Sequence, residues 1–278
     1  MFIFKCNGYS YKDIYFLIFM LLVDVHAHLD HPFFENDLEL VIERARNMGV
    51  KSIITNGVNP DSNKRVLELA KKYDIVKAAL GMYPIDALQK ETETGEAPWL
   101  QKPFTVEECL AEIRKHKDNI VAIGEVGMDF AMTDNHDEQR EHFQQVIELA
   151  EKIKKPLIVH SRKAEPEVVE MLKETKTKVL MHCFSGKKKL FLEGLEHGFY
   201  YSIPVNIIRS DQFQSWVQHA PLNRLLTETD APYLGIRRDD RNEPSEVLHT
   251  ITKIAEIKNM DPEEVANIIY QNYQKLFG

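Results

Sequence analysis

The chain has 278 residues, 44% of them hydrophobic, and a formal net charge of −8. That size and apolar share suit a globular protein with a sizeable core, and (β/α) barrels use about 250 residues as one domain. Three widely spaced cysteines, Cys6, Cys109 and Cys183, exclude a disulfide framework or a cysteine-based zinc site and fit a reducing cytoplasm, while the acidic total argues against a generally basic nucleic-acid binder.

Residues 14–23, IYFLIFMLLV, form an apolar run after Lys5 and Lys12 that mimics a signal peptide. The run is too short to span a bilayer, which takes about 20 residues. No small-residue cleavage site follows, and its end is also the first strand of the fold. Residues 1–20 are therefore expected to be an extension outside the core, with Met20 as the functional first residue. A peripheral membrane anchor is the alternative.

From there short apolar runs alternate with amphipathic segments. Strands are expected at 21–26, 51–55, 75–80, 119–124, 156–160, 178–182, 199–203 and 223–228. Leu38, Val41, Ile42 and Ala45 follow helical spacing, as do Phe143, Val146, Ile147 and Ala150. Thr105 and Glu108 make a capping-box pattern, and Asp261-Pro262-Glu263-Glu264 opens a last helix. Eight strands alternating with helices predict a single (β/α)8 TIM barrel over 21–278. A doubly wound sheet would bring a glycine-rich turn after the first strand, and none is present. Residues 83–104 are too long for an ordinary strand-to-helix loop of about 2–6 residues. In a barrel they lie on the C-terminal face, as a lid or substrate wall or as a passive surface loop.

The strand ends carry unusual side chains. His26 and His28 end the first, Glu125 follows the fourth, His160 the fifth, His182 the sixth and Asp230 the eighth. Parallel barrel strands end on one mouth, so these six converge there, and a period of two turns His26 and His28 to the same side. Each alone reads equally as a loop residue or a helix cap. Together they form a nitrogen and oxygen donor set suited to zinc, manganese or iron, and less comfortably to magnesium. Two ions use all six: His160 and His182 on one, His26, His28 and Asp230 on the other, with Glu125 bridging. Most other histidines read as surface residues, with His31 near the site. Cys183 should point away from His182 as a buried thiol.

The ordered motifs HAH (26–28), GEVGMD (124–129), VHSRKA (159–164), HCFSG (182–186), ETDAPYL (228–234), RNEP (241–244) and NYQKLFG (272–278) resemble those of TatD-type metal-dependent deoxyribonucleases of the amidohydrolase superfamily. The resemblance spans residues 21–278. It implies a TIM barrel with one or two divalent cations (zinc, magnesium or manganese), hydrolase activity, typically on DNA, and metal ligands at the six positions above. One departure is Tyr83, in GMYP, where many members have histidine.

The expected chemistry is metal-assisted hydrolysis with Asp230 as ligand and general base and Glu125 setting the spacing of the ions. Arg162 and Lys163, Lys187 to Lys189, and Arg237, Arg238 and Arg241 follow three of the strands on the same face. Jointly they favour an anionic substrate, with Arg162, Lys187 and Arg237 as candidate contacts. Asn242 and Glu243 are expected to shape the mouth. The leading expectation is a cytoplasmic, monomeric deoxyribonuclease trimming 3′ ends of single strands, as the resemblance suggests, with no obligate protein partner. A metal hydrolase of another bond, such as an aminoacyl-tRNA ester or a small amide, and a non-enzymatic nucleic-acid or partner-binding barrel are the alternatives.

Overall fold

The computed structural model describes residues 20–94, 103–131, 133–238 and 240–278. Eight strands among them make one parallel sheet in sequential order: β1 (Leu22–Ala27), β2 (Val50–Asn56), β3 (Val76–Met82), β4 (Ala122–Gly127), β5 (Leu157–His160), β6 (Val179–Met181), β7 (Tyr200–Pro204) and β8 (Leu225–Glu228). The ring closes where β8 meets β1. Thr227 Oγ1 donates to the Val23 carbonyl at 2.5 Å, Asp230 N–H to the His26 carbonyl at 2.8 Å, and His28 N–H to the Ala231 carbonyl at 2.7 Å. This is the (β/α)8 barrel expected.

The helices are α1 (Leu38–Asn47), α2 (Pro60–Lys72), α3 (Ile85–Thr94), α4 (Val106–Lys115), α5 (His136–Ile153), α6 (Glu165–Leu172), α7 (Lys188–Glu196), α8 (Asp211–His219), α9 (Val247–Lys258) and α10 (Pro262–Phe277). Their apolar stripes face the sheet. In α1, Val41, Ile42 and Ala45 are buried, and in α5, Phe143, Val146, Ile147 and Ala150. The Thr105–Glu108 capping box forms, and Asp261 caps α10 through Glu263 N–H. Helix α10 also ties down the N-terminal rim of the strands. Asn272 Nδ2 donates to the carbonyls of Leu222 and Leu225, both at 2.8 Å, and Tyr273 Oη lies 2.8 Å from Ser52 Oγ.

Two differences from the expected layout matter for the site. Strand β4 runs over 122–127 rather than 119–124, because Asn119 sits in a turn, its N–H bonded to the His116 carbonyl. Glu125 is thus inside a buried strand instead of after it. Glycines let neighbouring strands pass it: a Cβ at Gly81 would lie 2.3 Å from the Glu125 backbone, and one at Gly127, where φ is +142°, 2.0 Å from the His160 carbonyl oxygen. Finally, the 83–104 connection contains α3, while residues 95–102 lie outside the described residues.

Met20 is buried in the core; the expectation for residues 1–19, membrane anchoring included, lies outside the described residues. Among the described residues no helix is long and apolar enough to cross a membrane.

Candidate metal centre

The C-terminal ends of the strands bring all six expected residues to one place. His26 lies within β1 and His28 just past it. Glu125 lies in β4 and His160 closes β5. His182 follows β6, and Asp230 follows β8 by two residues. The two imidazoles of β1 do face one way: their Nε2 atoms are 3.3 Å apart.

Glu125 divides the cluster. Its Oε2 lies 3.5 Å from His26 Nε2 and 3.4 Å from His28 Nε2, and Asp230 Oδ1 lies 3.6 and 3.5 Å from the same two nitrogens. Its Oε1 lies 2.9 Å from His160 Nδ1 and 3.1 Å from His182 Nε2, which are 3.4 Å from each other. The donor atoms of His26, His28 and Asp230, and those of His26, Glu125 and His182, each lie within 4.8 Å of one another.

These spacings test whether an ion fits. Donors placed tetrahedrally about 2.1 Å from an ion are about 3.4 Å apart. The edges among His26, His28, Asp230 Oδ1 and Glu125 Oε2, 3.3 to 3.6 Å, match that figure, and those among His160, His182 and Glu125 Oε1, 2.9 to 3.4 Å, are close to it. The residues present fit divalent cations.

Electrostatics bind the cluster together. Burial opposes charge on Glu125, but His182, His160 and His26 hold its pKa well below the usual carboxylate range. Burial likewise opposes a proton on His28, yet Asp230 and Glu125 push its pKa up to about 10. For His160, Asp129 and Glu125 overcome burial and raise it to about 9. His182 is raised too, by Glu125 and Glu228. His26 goes the other way, to about 4, because burial and the neighbouring His182 both disfavour its charge.

Asp129 and Glu228, not singled out in the sequence, and Tyr83 support these rings. Asp129, fully buried, lies 3.1 Å from His160 Nε2 and accepts from Tyr83 Oη at 2.9 Å. Tyr83 Oη is also 3.3 Å from His160 Nε2 and 3.2 Å from Glu91 Oε1 of α3. Glu228 Oε2 faces His182 Nδ1 at 3.7 Å and accepts a hydrogen bond from Ser202. His28 Nδ1 lies 3.1 Å from the Asn56 carbonyl. Asp129 and Glu228 both sit inside motifs already quoted, GEVGMD and ETDAPYL, so a carboxylate four residues past Glu125 and two before Asp230 was the available signal.

The centre lies on the floor of a pocket of about 260 Å³, lined also by Val58, Tyr83, Leu88, Glu91, Arg162 and Tyr233. Leu88 and Glu91 make α3 part of the pocket wall. Arg162 lines it, 3.8 Å from Asp129. Lys187 is exposed and Arg237 is 85% exposed, near Asp240, and neither lines the pocket. Arg241 is held by Asp37 at 2.6 and 2.8 Å, so it closes a loop instead of facing substrate. Asn242 is buried beside the eighth strand end, its Nδ2 donating to the Thr229 carbonyl at 2.7 Å. Glu243 is gripped by Arg44 at 2.6 to 3.1 Å. Cys183 is partly buried at φ +42°, past the end of β6, with its thiol pKa pushed up by burial and by Glu228 and Asp230.

A parallel barrel with four imidazoles and two carboxylates converging at its mouth defines a metal-dependent hydrolase. Residues 23–278 match the family described as TatD related DNase, and the chain belongs to that family. It is 35% identical over 266 residues to the Deoxyribonuclease TATDN3 of Homo sapiens, covering 92% of this chain and 94% of the relative. It is 28% identical over 271 residues to the 3'-5' ssDNA/RNA exonuclease TatD of Citrobacter koseri, covering 92% and 99%. Its fold superposes on the crystal structure of YJJV, a TatD homolog from Escherichia coli K12, with a TM-score of 0.79 at 26% identity over 92% and 97% of the two chains.

Proposed function

We propose that this chain hydrolyses DNA phosphodiester bonds, removing nucleotides from the 3′ ends of single strands, with two divalent cations held by His26, His28, Glu125, His160, His182 and Asp230. The observation that carries the reading is the division of Glu125, one oxygen toward each donor set, at spacings an ion can fill. The human relative's name supports DNA as substrate, and the Citrobacter relative's name supports single strands and 3′ polarity.

The roles follow from position. A divalent ion held there would supply a water of lowered pKa and would neutralise charge on the phosphoryl oxygens. Asp230 is the more open of the two carboxylates, 16% against 6% side-chain exposure, and would accept a proton from the attacking water. Glu125 joins the two donor sets. Arg162, at the rim, meets a phosphate. Asp129 and Glu228 orient His160 and His182. Free Cys109 and Cys183 suit a reducing cytoplasm, and the chain is proposed to act as a monomer.

The test is release of mononucleotides from a 5′-labelled single-stranded oligodeoxynucleotide, with zinc, manganese or magnesium added in turn. A shortening ladder with at least one ion is expected. No cleavage with any of them overturns the reading, and hydrolysis of an aminoacyl-tRNA ester or small amide instead would replace it.

A further inference from the structure

Phe33 combines an exposed ring with a backbone fixed at both polar groups. Phe33 is 62% exposed, more than any other large hydrophobic residue described. It sits in a single 3-10 turn, Pro32–Phe34, between β1 and α1. Three fixtures hold that turn. His31 Nδ1 accepts from the Phe33 N–H at 3.0 Å. Arg241 Nη1 donates to the Phe33 carbonyl at 2.7 Å, and Arg241 is itself locked by Asp37. Next to it Phe34 is fully buried beneath the Arg241 guanidinium, 5.1 Å from its ring centre. Both backbone groups of Phe33 are thus held by side chains, and its ring is presented outward.

The ring also continues a line of aromatics leaving the metal centre. Tyr233 lines the pocket, is 36% exposed, and lies edge-on to His28 at 6.3 Å. His31 is 5.7 Å from Tyr233, and Phe33 is 4.5 Å from His31. Two ring contacts separate Phe33 from the pocket wall.

We propose that Phe33 and Tyr233 form a base-stacking subsite for the single strand that enters the pocket, with Phe33 bearing the base of a nucleotide that is not cleaved. The inference rests on the nuclease reading for its choice of ligand. Every base has a π-face, so such a platform holds a strand without reading its sequence, and one stacked base contributes about 1–3 kcal/mol. The turn carries acids, Glu35 and Asp37, rather than free cations, so what it offers a strand is the face of a ring and not a phosphate contact.

The experiment compares Phe33→Ala and Phe33→Trp with the unaltered metal-loaded protein. Binding is read by fluorescence anisotropy with two hydrolysis-resistant phosphorothioate strands of equal length, one oligothymidylate and one abasic. The unaltered protein is expected to prefer the strand that has bases. Phe33→Ala should bind oligothymidylate about tenfold more weakly and the abasic strand unchanged, and Phe33→Trp should restore the preference. The salt dependence of binding should keep its slope in Phe33→Ala, because no phosphate contact is removed. Equal binding of the two strands by the unaltered protein, or a preference that survives Phe33→Ala, overturns the proposal. A change in sedimentation of Phe33→Ala without a change in strand binding also overturns it and makes the turn a protein contact. Hydrolysis of an ordinary strand is scored separately: its absence sinks the nuclease reading while leaving the binding comparison to judge the subsite.

Discussion

Asp129 Oδ2 lies 3.1 Å from His160 Nε2, on the far side of the ring from Glu125, whose Oε1 is 2.9 Å from His160 Nδ1. The imidazole is held from both ends, so Nδ1 is the nitrogen left to face an ion. Partners of this kind orient a ligand ring, and their loss weakens metal affinity by roughly 10–100-fold. Asp129→Ala is expected to lower affinity for divalent ions by about that factor while the fold persists. Competition with a chromophoric chelator measures it. Unchanged affinity would remove Asp129 from the account.

Metal binding should expel protons. Without an ion, Asp230 and Glu125 hold His28 at about 10 and Asp129 and Glu125 hold His160 at about 9, both against the effect of burial, and His182 is raised as well. His28 and His160 carry protons at pH 7.5 and must lose them to donate a lone pair, whereas His26, at about 4, is already neutral. Loading at pH 7.5 should therefore release about two protons per chain from these rings. Affinity should rise with pH through 7 to 9 and fall in acid. Calorimetric titration in two buffers of different ionisation enthalpy counts the protons, and a count of zero would contradict the protonation scheme.

Asn272 sits fully buried at the N-terminal rim, and its amide donates to two carbonyls, those of Leu222 and Leu225. Asn272→Leu leaves both without that donor. A loss of about 1–3 kcal/mol is expected in urea denaturation, with no change in activity of the folded enzyme, since the rim lies at the opposite end of the strands from the metal centre. Stability within error of the parent would show that water replaces the amide.

A chain shortened to begin at Met20 is expected to fold and to keep its activity. Met20 itself is buried and stays in place. Thermal unfolding and the nuclease assay check this together, and loss of folding would make residues 1–19 part of the domain.

Much of this architecture is legible in the sequence because a parallel barrel buries its strands as short apolar runs and ends them on one mouth. LLVDVHAH, PLIVH and KVLMH each announce a strand and its terminal ligand. Glu125 blurred one boundary, since a glutamate flanked by glycines looks like the end of a strand, while Gly81 and Gly127 in fact let it stay inside one. Helix α3 is hard to read in the sequence because it buries little more than Ala87 and Leu88 and runs on through the polar QKETET. Pairings across long separations leave no local trace: Asp129 to Tyr83, Glu228 to Ser202, and Asp37 to Arg241, 204 residues away. That last pair is why Arg241 reads from sequence as one of a basic group on the mouth and serves as a loop fastener in the fold.

The central claim is that this metal centre cuts a DNA strand with Asp230 as the proton acceptor. The most direct measurement is the rate of 3′-end shortening of a single-stranded oligodeoxynucleotide by the unaltered protein and by Asp230→Asn, both loaded with the same activating ion and shown by metal analysis to carry it. The unaltered protein is predicted to degrade the strand and to stop on chelation, and loaded Asp230→Asn to retain the fold but lose most turnover. Loaded Asp230→Asn working at close to the parent rate, or a parent that leaves the strand intact with every ion, would contradict it.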